Sequence, residues 1–147
     1  MNVGTSPAAR PGGLPQDIEW RLPPHPRSVG RARTLLREQS SSWRIPEDTA
    51  ETAALLLSEL MTNACRHAHA SPGREISARC TLRGSTLRVE ISDAGGGRPV
   101  LLHPSPDDES GRGLALVAAL ANAWDSGPRP CGIGKTVWFE LTVPGGG

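Results

Sequence analysis

At 147 residues, with charged side chains at 21% and a formal charge of +1, the chain has the length of one domain and no net field to draw it to nucleic acid or an anionic membrane. No apolar run reaches the roughly 18 residues that a membrane span requires, and the opening MNVGTSPAARPGG lacks the apolar centre of a signal peptide. A cytoplasmic protein is expected, with no direct nucleic-acid or membrane partner.

Residues 1–16 are rich in Pro, Gly and Ala without periodicity and read as a disordered tail; 17–144 read as a single domain and 145–147 as a short tail. Ile18 to Leu22 alternates apolar and charged, which predicts a half-buried strand closed by Pro23, Pro24 and Pro26. From Ser28 to Gln39 the spacing of Val29, Ala32, Leu35 and Leu36 predicts a helix with Arg27, Arg31 and Arg37 off the apolar stripe. Pro46, followed by Asp48 and Glu51, has the form of a proline entry and a capping box, opening a long helix. Its stripe is Ala53, Ala54, Leu57, Leu60, Met61, Ala64 and Ala68, and Ser71-Pro72-Gly73 stops it. Glu59, Asn63 and Arg66 lie to one side of that stripe.

Glu75 to Leu82 and Thr86 to Ser92 both alternate, joined by a hairpin turn at Arg83-Gly84-Ser85. The second strand delivers Asp93 directly before Ala94-Gly95-Gly96-Gly97. Residues 98–110 hold Pro99, Pro104, Pro106 and an acidic cluster, and read as an irregular lid-like loop. Arg112 to Trp124 is nearly all apolar and Ala-rich, which predicts a buried helix; Thr136 to Val143 predicts a last strand after turn residues 127–134. The whole is an α+β two-layer sandwich: a mixed, mostly antiparallel sheet with one face covered by about three helices.

Three clusters carry chemistry. Asn63 offers a neutral oxygen to a hard cation such as Mg2+, which keeps waters and takes few protein ligands. Glu59, one helical turn earlier, is placed to orient or deprotonate an attacking hydroxyl or water. Asp93, followed by glycines, can accept a hydrogen bond from an exocyclic amine. Gly111-Arg112-Gly113 at a helix start would present unpaired backbone N–H groups and a guanidinium to phosphate. Each cluster alone also has a structural explanation: an exposed polar helix edge, an Asp-Gly turn, a flexible joint.

Other nucleotide sites are excluded by spacing. Gly134-Lys135-Thr136 imitates the end of a P-loop, but Arg129 stands where that motif needs glycine. Leu116 stands where a dinucleotide fingerprint has its third glycine. Lys135, the chain's only lysine, lacks the glycine-rich and HRD loops of a protein-kinase site. The Cys65, His67 and His69 group has no second ligand pair for a metal. Cys65, Cys80 and Cys131 are widely separated without a CxxC pair, which argues for reduced thiols.

Glu59-Leu-Met-Thr-Asn63-Ala, Asp93-Ala-Gly95-Gly-Gly97, Gly111-Arg112-Gly113-Leu114 and Gly134-Lys-Thr136-Val-Trp-Phe-Glu-Leu141 together resemble, in order and spacing, the four motif boxes of the GHKL ATPase superfamily. ELMTNACRHA and SGRGLALV look more narrowly like the anti-sigma-factor serine kinases, over roughly residues 18–143. The resemblance implies a Bergerat ATP-binding fold with Asn63 on Mg2+, Glu59 as general base and Asp93 on the adenine amine. It further implies Gly95 and Gly97 flanking the base, Gly111, Arg112, Gly113 and Leu114 at the phosphates, and Thr136 near the base. Such relatives phosphorylate a serine or threonine of an anti-anti-sigma (STAS-type) antagonist, sequester a sigma factor, and are often homodimers. Two functions follow as expectations: a Mg-ATP-dependent protein serine/threonine kinase, or a non-catalytic ATP-binding module that docks a protein partner.

Overall fold

The structure, a computed structural model, describes residues 16–68, 75–93, 109–128 and 135–144. Of the expected 1–16 tail, residues 1–15 lie outside the described residues while Gln16 opens the first strand. The 145–147 tail, the stop at Ser71-Pro72-Gly73, Gly95 and Gly97, most of the 98–110 loop, Cys131 and residues 129–134 of the expected 127–134 turn also lie outside them.

Strand β1 (Gln16–Leu22) turns Ile18, Trp20 and Leu22 inward and exposes Asp17, Glu19 and Arg21, as its alternation predicts. Helix α1 (Arg27–Ser42) buries Ser28, Ala32, Leu36 and Ser40. The Ser28 hydroxyl donates to the Pro23 carbonyl at 2.7 Å, tying the helix start to the end of β1. The helix closes with Ile45 N–H donating to the Ser40 carbonyl and Arg44 N–H to the Ser41 carbonyl. That pairing puts Arg44 in the left-handed region, φ 60°, where glycine is the usual occupant.

Helix α2 (Glu47–Ala68) starts one residue after Pro46, whose carbonyl accepts from Ala50 N–H. The expected capping box does not form. Asp48 lies inside the first turn, where its carboxylate accepts from Thr49 N–H, and Glu51 instead makes a two-point ion pair with Arg37 of α1 at 2.9 and 3.0 Å. The predicted stripe is fully buried over Ala53, Ala54, Leu57, Leu60, Met61 and Ala64.

Strands β2 (Ile76–Arg83) and β3 (Thr86–Asp93) form a hairpin whose two-residue loop is Gly84-Ser85. Gly84, the first loop residue, takes φ +62°, the conformation a type II′ turn requires there and one that suits the twist of the flanking strands. Helix α3 (Glu109–Leu120) starts earlier and stops sooner than expected, and the chain from Ala123 to Pro128 forms strand β4, where the sequence reading placed the end of the helix at Ala123 and Trp124 and the start of a turn at Gly127 and Pro128. Nor is α3 buried all round: Ala115, Ala118, Ala119 and Leu120 are exposed, and Val117 is its fully buried contact among the described side chains. Strand β5 (Lys135–Thr142) completes one sheet in the order β1-β2-β3-β5-β4, antiparallel at every neighbouring pair among the described residues.

One sheet face carries Ala78, Cys80, Leu87, Val89, Ile91, Val137, Phe139 and Leu141 into the core beneath α2. The other is a polar ladder. Arg79 pairs with Asp17, and Arg88 reaches Glu90 at 2.7 Å and Glu140 at 3.1 Å while its guanidinium stacks 3.9 Å from the Trp138 ring centre. Among the described residues no helix is long and apolar enough to cross a membrane.

Candidate functional site

Period-two alternation fixes which side chains meet under the helices. Ile91 and Asp93 of β3 share the core face with Lys135 and Val137 of β5, because Asp93 is in register with Lys135 and Ile91 with Val137. On β4, Ser126 is opposite Val137 and so faces the same way. Helix α2 passes over this end of the sheet and presents Leu60, Asn63 and Ala64, and α3 contributes Leu114; together these side chains line a cavity of about 50 Å³. The polar members come from three strands and one helix, and most of the remaining wall is apolar.

Asn63 and Asp93 are buried, at 9% and 7% exposure, although both are polar. Burying a carboxamide and a carboxylate is costly unless partners or a ligand compensate, so two such groups in one hollow mark it as the chemical end of the domain. A larger concavity, about 590 Å³, lies on the opposite sheet face between Asp17, Arg79, Arg88, Glu90 and Glu140. Those five charges already pair with one another, Arg83 also lines the space, and it is an open trough rather than an enclosed site.

The family model for the histidine kinase-like ATPase domain matches residues 22–140, most of the chain and all of the cavity. The chain belongs to that family. Among curated proteins none matches the sequence. The RsbU and RsbW domains of Rv1364c from Mycobacterium tuberculosis share the fold at 18% identity, with a TM-score of 0.67 over 87% of this chain and 32% of that one. The histidine kinase domain of the blue-light activated histidine kinase from Erythrobacter litoralis EL346 aligns at 22% identity and a TM-score of 0.55, over 82% of this chain and 61% of that one. A second structure of that blue-light kinase gives 26% identity and a TM-score of 0.52, over 67% and 32%. The chain thus spans less than two thirds of the length of each.

Within this histidine kinase-like ATPase domain, the four motif boxes can be located one by one. Asn63 and Asp93 converge on the cavity with Leu114. Glu59, half-buried and one turn before Asn63 on α2, is not among the residues lining it. Gly111 is the third residue of α3, so its N–H still belongs to the unpaired first turn, whereas Arg112 and Gly113 lie farther along the helix than expected. Gly95 and Gly97 are outside the described residues.

Thr136 does not face the cavity. It is in register with Ser92 on the polar face, and the two hydroxyls hydrogen-bond at 2.8 Å. The β5 side chains that do reach the cavity are Lys135 and Val137, and the polar one, Lys135, was given no role in the reading of motifs. The signal was present: Val137, Phe139 and Leu141 set the inward phase of this strand, and Lys135 is in that phase while Thr136 is not. Ser126 was missed for a different reason, since its strand was not anticipated at all.

The residues present fit a nucleotide with a hard cation. Asn63 supplies a neutral oxygen, and among the described residues no group of three or more His, Cys, Asp or Glu is placed around a metal, so an ion here would rely on Asn63, phosphate and water. The cavity has room for a few waters and not for a whole purine; it suits the polar edge of a base. The two thiols described in the core are unpaired and inert. Burial pushes the Cys65 thiol up and, with Asp17 adding to the effect, Cys80 up to about 12, so neither is a thiolate near neutrality.

Proposed function

We propose that this domain is a Mg-ATP-dependent protein serine/threonine kinase that phosphorylates an anti-anti-sigma antagonist and sequesters a sigma factor when that antagonist is not available. The observation that carries the nucleotide reading is the meeting of Asn63 from α2 and Asp93 from β3, both buried, in one hollow closed by α3. Asp93 would accept from the base's amino group, Asn63 would hold the ion, and the first turn of α3 would hold phosphate oxygens. ATP supplies the phosphoryl group. Glu59 would accept the proton of the acceptor hydroxyl as its oxygen forms the new bond to phosphorus, with ADP as the leaving group.

The RsbW-domain neighbour supports the partner class, and the motif resemblance supports the same class from the sequence side. One observation favours a second reading: Glu59 stands outside the lined cavity, as it would in a module where ATP only sets the shape of a docking surface. The Glu59→Gln variant separates the two. With radiolabelled ATP and a STAS-type antagonist, the kinase reading expects transfer by the wild type and ATP binding without transfer by the variant. Wild-type protein that binds ATP and transfers nothing to any partner supports the module.

A further inference from the structure

We propose that Lys135 reads the base: together with Asp93 it forms a two-point edge sensor for adenine, with Asp93 accepting from the amino group and Lys135 donating to the neighbouring ring nitrogen. The inference rests on the ATP reading above and adds to it a residue that no motif assigns.

Asp93 and Lys135 are direct partners in the β3–β5 register, so their side chains leave adjacent strands side by side on the same face. Both line the cavity of about 50 Å³, too small for a whole base but suited to its polar rim. A carboxylate only accepts hydrogen bonds and an ammonium only donates them. The pair therefore presents a fixed pattern, acceptor beside donor. Adenine's edge offers an amino donor beside the N1 acceptor, which is the complement. Guanine's edge offers the O6 acceptor beside an N1–H donor, so in the same pose each contact would set like against like. Rejecting a base by polar contacts that set like against like discriminates more strongly than a missing apolar contact does. The hydroxyl of Thr136 cannot share this task, because it lies on the other face bonded to Ser92.

The test is a chemical double-mutant cycle by calorimetry. It compares ATP with 1-deaza-ATP, in which N1 is replaced by C–H, on the wild type and on Lys135→Met. The wild type should bind ATP roughly tenfold tighter than the analogue, the size expected for a hydrogen bond from a charged donor, and the variant should bind both alike. Adenosine, which lacks phosphates, should show the same loss on Lys135→Met. A lysine that instead meets phosphate would weaken ATP and leave adenosine untouched, and a variant that keeps the wild-type discrimination against the analogue removes Lys135 from the base; either result overturns the proposal. Wild-type protein that binds no adenine compound overturns the ATP reading and this inference with it.

A second measurement does not depend on a variant that folds. Lys135 carries the only side-chain amine in the chain, so acylation followed by mass spectrometry reports on one lysine. Adenosine should slow its modification severalfold and guanosine should not; equal protection by both, or by neither, counts against the sensor.

Discussion

Val117→Ala should loosen α3 selectively. Val117 is fully buried, while its neighbours Ala115, Ala118, Ala119 and Leu120 are exposed, so this side chain pins the helix to the body. The change deletes two buried methyl groups at about 0.8 kcal/mol each, and a partly unfilled space adds to that, for about 2 kcal/mol in total. A helix of 12 residues is marginal in water without tertiary contacts, so the loss falls first on its docking. Amides in the second half of α3 should then exchange with solvent roughly 30-fold faster, a factor that corresponds to about 2 kcal/mol. Amides of β3 and β5 should change much less. Because Leu114 is carried by α3 and lines the cavity, saturating ATP should restore much of the lost protection. Native-state hydrogen exchange resolved by residue reads all three effects. Equal acceleration in α3 and the central strands would show that the helix opens only with the whole domain, and no acceleration would show that Val117 is not its anchor.

Asn63→Ala should abolish the gain in ATP affinity on adding Mg2+, read by calorimetry with and without the ion; an unchanged gain refutes the metal assignment. The hydrogen bonds from Arg79 are the first cause holding the Asp17 carboxyl below its ordinary range, with burial opposing and charge attraction adding. A carboxyl whose pKa is depressed by folding stabilises the fold above its unfolded value of about 3.9 and loses that contribution as pH falls through the folded value. Arg79→Met should therefore be slightly less stable than wild type at pH 7, and the gap should shrink as pH falls below about 3.9 and Asp17 takes up its proton; this pair is exposed, so the gap is small. A denaturant-midpoint gap that persists in acid counts against the pair. Cys80, fully buried and with its thiol pushed up to about 12, should resist alkylation at pH 8 in the native protein and react on unfolding, as peptide mass spectrometry can show; rapid native labelling would contradict its burial.

The elements that were legible in the sequence have a repeating chemical signature. α2 shows its stripe at helical spacing, and β2, β3 and β5 alternate cleanly because one face meets α2 while the other is a ladder of Arg, Glu and Thr. β4 has no such signature. Its sequence AWDSGP is short and, among the described residues, lies at the sheet edge and pairs only with β5, so little of it needs to be apolar. The apolar run of α3 leads straight into Ala121, and the break comes at Asn122, whose N–H donates to the Glu140 carbonyl and whose side-chain oxygen accepts from Thr142 N–H. Those bonds reach across the sequence to β5, and no local pattern announces them. The exposed alanines of α3 mislead in the other direction: alanine favours helix through its low entropic cost, and being apolar does not make it buried. Asn63 stood out as a polar residue in an otherwise apolar or small run, and Asp93 as a carboxylate that closes a strand directly before glycines. Lys135 was hidden by the motif that contains it.

The site's strand-borne polar side chains all come from the same end of the antiparallel sheet. Asp93 closes β3, Lys135 opens β5, and Ser126 is near the end of β4, while Asn63 lies in the last turns of α2. Farther along the same strands the inward positions are Leu87, Val89, Phe139 and Leu141, all buried and apolar. The arrangement follows from desolvation: a carboxylate or carboxamide in the middle of that face would need a partner that the apolar core does not offer, whereas at the end it can be met by water or by a ligand. Stability and binding are thereby assigned to different residues of the same strands. Phe139→Ala should cost the fold roughly 3–5 kcal/mol, whereas changes at Lys135 should be felt first in which base is bound, since its side chain is only half-buried and belongs to the cavity rim rather than to the core.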